Sequence, residues 1–193
     1  KRLRKLLPQH TYTTIIDRKH APYGNRSSEE IITLTDTAIQ PLLSCSIIIL
    51  ACNTATTIAI QPLRQNYPDV RFIGFEPMIK PAATLTKSRH ITLLATNATK
   101  QSQRLHALIS QYAAGIHVDT PDTRAWAQMI DQGLVDDIVL DEVSASVADG
   151  SDVIVLGCTH YLAIKRRLQR LFPQCRILEP TAIIAKRISD FAS

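Results

Sequence analysis

The chain has 193 residues, 45% of them hydrophobic, enough to bury a sizeable core in one domain or two small ones. No stretch approaches the roughly 18 uncharged apolar residues of a membrane-spanning helix, and the opening KRLRKLLPQH lacks the apolar centre of a signal peptide, so a cytoplasmic address is expected by default. The net charge of +5 is spread along the chain except for KRLRK at the start and KRRLQR further on, and aromatics make up only 5%. That argues against a nucleic-acid or membrane partner and leaves an anionic small molecule as the partner the charge fits.

Read in chain order, RLRKLLP is the end of an amphipathic helix closed by Pro8. An α/β chain normally opens on a strand that feeds its first helix, so a βα segment is expected ahead of this point. TYTTIID is a strand candidate, RKHAPYGNRS a loop, and SSEEIITLTDTAIQPLL a helix with a Ser-x-x-Glu start. SIIILA reads as a doubly buried strand, TTIAIQPLRQNY as a helix broken or kinked at Pro62, and VRFIGFEP as a strand. The second half repeats the theme. HITLLAT is a strand, KQSQRLHALISQYA a helix, GIHVDT a strand, and TRAWAQMIDQG a helix stopped by Gly133. DDIVLDEVSASVA is a further helix, DVIVLG a strand, CTHYLAIKRRLQRLF a helix with its bases on a solvated face, and CRILEP the last strand. Alternating β and α elements of this kind predict parallel sheets flanked by helices.

Two segments are alike: SIIILACNTATTIAI and SDVIVLGCTHYLAI. Each is a β-branched strand, one small residue, a cysteine, a nearby threonine and then a helix. They lie roughly 100 residues apart, about the length of one compact α/β lobe, so Cys52 and Cys158 are equivalent positions in a twofold repeat. The carboxyl ends of parallel strands are where ligands collect, and a helix N-terminus there eases ionisation of a thiol. Asn53, Thr54 and Thr159, with the amides beside them, could hold a carboxylate. Two thiols facing each other across a cleft suit removal of a proton from one face of a carbon and its return to the other face. A redox pair is the rival reading, but it needs the Cα atoms within about 7 Å, which leaves no room for a substrate. Cys45 and Cys175 flank core strands and read as packing residues. Without CxxC spacing or a nearby preceding histidine, the cysteines predict no metal site, and a disulfide framework is not expected.

With these residues on the page, the chain resembles the glutamate racemases of the aspartate/glutamate racemase superfamily. ACNTAT and LGCTHY resemble the two cysteine signatures, HAPYGNRS the substrate loop, IGFEPMIKPA the exit from the first lobe, and LLATNAT the strand and turn that follow. The resemblance implies two similar lobes with the active site between them, the first formed by residues 1–77 and 180–193 and the second by 78–179. It implies cofactor-free interconversion of L- and D-glutamate for peptidoglycan, with glutamate as partner and a homodimer permitted. Cys52 and Cys158 are then the acid/base thiols, and His160 assists Cys158; a histidine that caps the helix start is the other reading of that residue. Tyr23, Gly24, Asn53, Thr54, Thr159 and His160 bind substrate, joined by Thr96 or Thr99. The nearest counterpart of a family glutamate is Asp131, one methylene shorter, with a plain surface acid as its alternative reading. The resemblance also implies an earlier strand ending in Asp-Ser-Gly, whose Asp would assist Cys52. Its absence from this sequence leaves two other expectations open: a relative that binds dicarboxylates without turnover, or a racemase of another acidic amino acid such as aspartate.

Overall fold

The computed structural model describes residues 2–192; Lys1 of the KRLRK run and Ser193, the two ends of the expected first lobe, lie outside it. In chain order the elements are α1 (Arg2–Leu6), a 3-10 turn at Tyr23–Asn25, α2 (Ser28–Ile39), β1 (Ile48–Leu50), α3 (Asn53–Asn66) and β2 (Phe72–Gly74). Next come α4 (Ile79–Leu85), β3 (His90–Ala95), α5 (Asn97–Gln101), α6 (Gln103–Tyr112), β4 (His117–Asp119) and α7 (Trp126–Asp131). The chain ends with α8 (Asp141–Ala148), β5 (Val153–Gly157), α9 (Lys165–Leu171), β6 (Arg176–Leu178) and α10 (Thr181–Ala192).

The strands form two parallel sheets, β1-β2 and β4-β3-β5-β6. Every residue of β3 and of β5 is buried, as expected of strands covered on both faces. Successive side chains feed opposite cores. Leu94, Ile154 and Leu156 pack with Trp126, Tyr161 and Leu168 on one face, while Ile91, Leu93, Val153 and Val155 pack with Ile79, Leu105 and Leu108 on the other. The two-stranded sheet repeats this arrangement. Ile48, Leu50 and Phe72 meet Ile39, Ile60 and Leu63 of α2 and α3, and Ile73 meets Ile184 and Ile188 of α10. Residues from the end of the chain thus complete the first core.

Several expected elements differ. Residues 11–17 form no strand: Tyr12 donates its hydroxyl hydrogen to the Leu7 carbonyl, Arg4 donates to the Tyr12 carbonyl and Thr14 hydroxyl, and Ile15 and Ile16 stay exposed. β-branched composition makes no strand without a ladder partner, and none pairs here among the described residues. Helix α3 continues through Pro62, with Ile60 and Leu63 buried on either side. The helix expected over 100–113 is two, because Ser102 is extended (ψ 136°) and its hydroxyl accepts from the Leu105 amide to start α6. The helix expected after Cys158 opens as a 3-10 segment, Thr159–Ala163, before α9. Residues 136–140 are loop, so α8 begins later than expected. On α9 only part of the basic face is free: Arg167 donates to the Val135 carbonyl and Lys165 pairs with Glu179.

Candidate active site

Cys52 follows β1 and stands at the N-cap of α3, with φ −144° and ψ 122°. Cys158 follows β5 with φ −144° and ψ 136° and precedes the 3-10 segment. The two thiols therefore leave their strands with the same backbone turn. Cys158 is buried and Cys52 half-buried. Burial pushes the Cys158 thiol up to about 12, charge at Cys52 pushes the same way, and the His160 and Tyr161 amides pull it back. Burial likewise raises Cys52, against the Ala55 and Thr54 amides and the Thr54 hydroxyl. Ionisation of one thiol opposes ionisation of the other.

His160 lies beside Cys158, with Nδ1 3.6 Å from Sγ, and its Nε2 is 3.3 Å from Asp131 Oδ1. Asp131 ends α7 and reaches the histidine despite being half exposed. A cavity of about 590 Å³ opens here, lined by Pro22, Asn25 and Arg26 of the loop and by Gln128, Asp131 and Gln132 at the end of α7. Neither thiol lines it; the connection runs through Asp131 and His160.

Three threonine hydroxyls join the starts of α3 and α5. Thr54 Oγ1 is 2.9 Å from that of Thr96 and 3.3 Å from that of Thr99, and Thr96 and Thr99 are 3.1 Å apart. Gly24 packs against this group so closely that a Cβ on it would lie 2.7 Å from Thr96 Cβ. Asn53 is buried, and neither its amide nitrogen nor its carbonyl oxygen has a hydrogen-bond partner. Orphaned buried amides cost about 1–3 kcal/mol and call for a ligand or water to satisfy them. Thr159 is half-buried beside Cys158.

Tyr23 senses the charge of Cys52, and its phenol donates to Asp17 at 2.7 Å. Burial, then Asp17, then Cys52 raise the phenol's pKa. Asp17 also faces His20 Nδ1 at 2.8 Å. Sequence reasoning passed over Asp17 and His20. The available signal was the spacing in DRKHAPY, with His20 three and Tyr23 six residues after Asp17, but only a folded loop turns it into contact. Cys45 and Cys175 are both half-buried; Cys175 packs against the core beside Ile177, and its thiol donates to the Ser151 carbonyl at 3.3 Å.

This architecture, with a thiol at the end of a parallel strand in each half, is that of an amino-acid racemase, an isomerase. The chain belongs to the Asp/Glu/Hydantoin racemase family, whose model matches residues 1–188. It is 39% identical to a glutamate racemase of Haemophilus influenzae (strain PittGG) over 196 residues, 96% of this chain and 72% of the relative. It is 32% identical to the glutamate racemase of Ectopseudomonas mendocina, over 96% of this chain and 74% of that one. Among solved structures, Escherichia coli glutamate racemase, crystallised with L-glutamate and the activator UDP-MurNAc-ala, superposes with a TM-score of 0.82 at 30% identity. The likeness covers 97% of this chain and 74% of that one.

Proposed function

We propose that this chain interconverts L- and D-glutamate without a cofactor, by a two-thiol mechanism that supplies D-glutamate for cytoplasmic peptidoglycan synthesis. In each direction one cysteine, as thiolate, takes the α-proton. The Cα–H electron pair moves into the substrate carboxylate system, and the other cysteine, as thiol, gives a proton to the opposite face. Roles exchange for the reverse reaction. The observation that carries this reading is the pair of thiols at matched strand ends, coupled so that charge on one disfavours charge on the other. His160, backed by Asp131, assists Cys158 by holding its proton at Nδ1 while the thiolate acts. Asn53, Thr54, Thr96, Thr99, Thr159, Tyr23 and Gly24 form the substrate's surroundings, with the unpaired Asn53 amide supplying a donor and an acceptor. The lobes divide at the two Glu-Pro turns, as 1–77 with 180–193 and as 78–179.

The test is incubation with either enantiomer in D₂O. The expected result is deuterium at Cα together with formation of the antipode, and loss of turnover in Cys52→Ala and in Cys158→Ala. Glutamate binding with no deuterium incorporation would show a binding protein instead, and faster turnover of aspartate than of glutamate would move the substrate assignment.

A further inference from the structure

We propose that His90, His117 and Asp119 form a site for one divalent cation of borderline softness, Zn²⁺ being the fitting ion, at the end of the four-stranded sheet away from the thiols. The ladder assembles it. His90 and His117 are direct partners across the β3–β4 pairing, and Asp119, two residues on from His117, returns to the same face of its strand. His90 Nε2 lies 2.7 Å from Asp119 Oδ2 and His117 Nε2 lies 2.8 Å from Oδ1. The three ligand atoms fall within 4.8 Å of one another, and the rings stand at 76° with centroids 4.6 Å apart, so both Nε2 atoms converge on the carboxylate.

His90 is anchored at its outer nitrogen, which leaves Nε2 as the ligand atom. Its Nδ1 lies 3.3 Å from the Asp149 carbonyl, which can only accept, so Nδ1 carries a hydrogen. A backbone carbonyl that fixes the outer nitrogen of a histidine is also how metal-ligating histidines are oriented. A tetrahedral ion with bonds of about 2.0–2.2 Å needs ligand atoms about 3.3 Å apart, which asks the carboxylate to withdraw by roughly half an ångström.

Two imidazoles and one carboxylate suit Zn²⁺; Mg²⁺ and Ca²⁺ prefer all-oxygen sets. The His90, Asp119 and His117 side chains are 11%, 29% and 68% exposed, so the fourth position opens to solvent and takes water. Because His90 begins β3, the site stands about 17 Å along the strand from the carboxyl end that serves the threonines. The ion's role there is structural: it ties the three-residue edge strand β4 to β3. Spacing alone hid the site, since its ligands come from strands separated by α5 and α6.

The experiment titrates the whole chain, stripped of metal, with Zn²⁺ and in parallel with Co²⁺. About one equivalent of metal should remain after gel filtration, Co²⁺ should show the visible bands of a tetrahedral site, and Zn²⁺ should raise the melting temperature. His117→Ala, whose side chain is largely exposed, should still fold but lose the bound metal and the thermal shift, and Asp119→Asn should bind at least 10-fold more weakly. Cys52→Ser/Cys158→Ser should keep both, which separates this site from metal capture by thiols. Failure of the wild-type chain to retain metal would overturn the proposal, as would retention unchanged in His117→Ala or lost in the double cysteine variant.

Discussion

Cys158 is held as a thiol by its surroundings, since burial and the charge at Cys52 together outweigh the two amides that favour the thiolate. A group in that state needs a partner that can take its proton when the base role falls to it, and His160 Nδ1 is the nitrogen in reach. His160→Asn should therefore lower kcat/KM by roughly 10²-fold, at the low end of what a positioned acid/base contributes. The loss should be equal in the two directions, because enantiomers have equal free energies. It should also shrink as pH rises, because a raised thiol pKa leaves little thiolate at neutral pH and alkali supplies it unaided. A pH profile of racemisation by circular dichroism checks this; a loss constant across pH would argue for a packing role. Asp131→Asn should cost less, roughly tenfold, and Asp131→Glu should retain activity, because the carboxylate acts through the histidine at 3.3 Å. Asp131 shows what one sequence can carry. Resemblance pointed to it and side-chain length counted against it, and only the position of α7 brings the shorter acid within reach.

At the scale of elements, the loop that carries Tyr23 and Gly24 is docked by a close contact between a glycine and a threonine. Gly24 is buried against Thr96 at the start of α5, and an added Cβ would meet two carbons of a side chain already fixed by hydrogen bonds to Thr54 and Thr99. Gly24→Ala should destabilise by about 1–3 kcal/mol as the loop is pushed outward. It should raise KM more than it lowers kcat, readable from thermal melts and steady-state kinetics; an unchanged KM would remove this loop from the binding site. The central strands and most helices were legible because burial on both faces leaves apolar, β-branched-rich runs such as SIIILA, HITLLA and VIVLG, and because Ser27 and Glu30 form the capping box that Ser-x-x-Glu announces. Residues 11–17 misled for a stated reason: composition describes what a strand is made of and carries nothing about a partner. The matched strand ends that carry Cys52 and Cys158 were legible through the repeat. The Asp17–His20–Tyr23 contacts depend on how a loop folds back, which has no periodicity to read.

Over the whole molecule, carboxylates tie elements and loops together, three of them across segments distant in sequence. At one Glu-Pro turn, Glu76 accepts two hydrogen bonds from Arg104 of α6, at 2.7 and 3.1 Å. At the other, Glu179 meets Arg2 of α1 at 3.3 Å and Lys165 of α9 at 3.5 Å. Asp152, at the start of β5, accepts from the Thr86 hydroxyl and the Lys87 and Ser88 amides, and Asp17 from Tyr23 and His20. Burial alone would raise the pKa of Asp17, Asp152 and Glu179, yet hydrogen bonds, with positive charge around Glu179, hold all three below their ordinary values. A carboxyl depressed in the folded state contributes stability that is fully present above its unfolded pKa and lost as pH falls through the folded one. Stability should thus be level with respect to these groups above about pH 5 and fall steadily toward about pH 2. Urea midpoints across that range measure it. Asp152→Asn should lower the midpoint at neutral pH and flatten part of the acid slope, since the amide keeps an acceptor but gives up the charge. If the variant loses stability equally at every pH, Asp152 acts by hydrogen bonding alone and the acid sensitivity belongs to the remaining carboxylates.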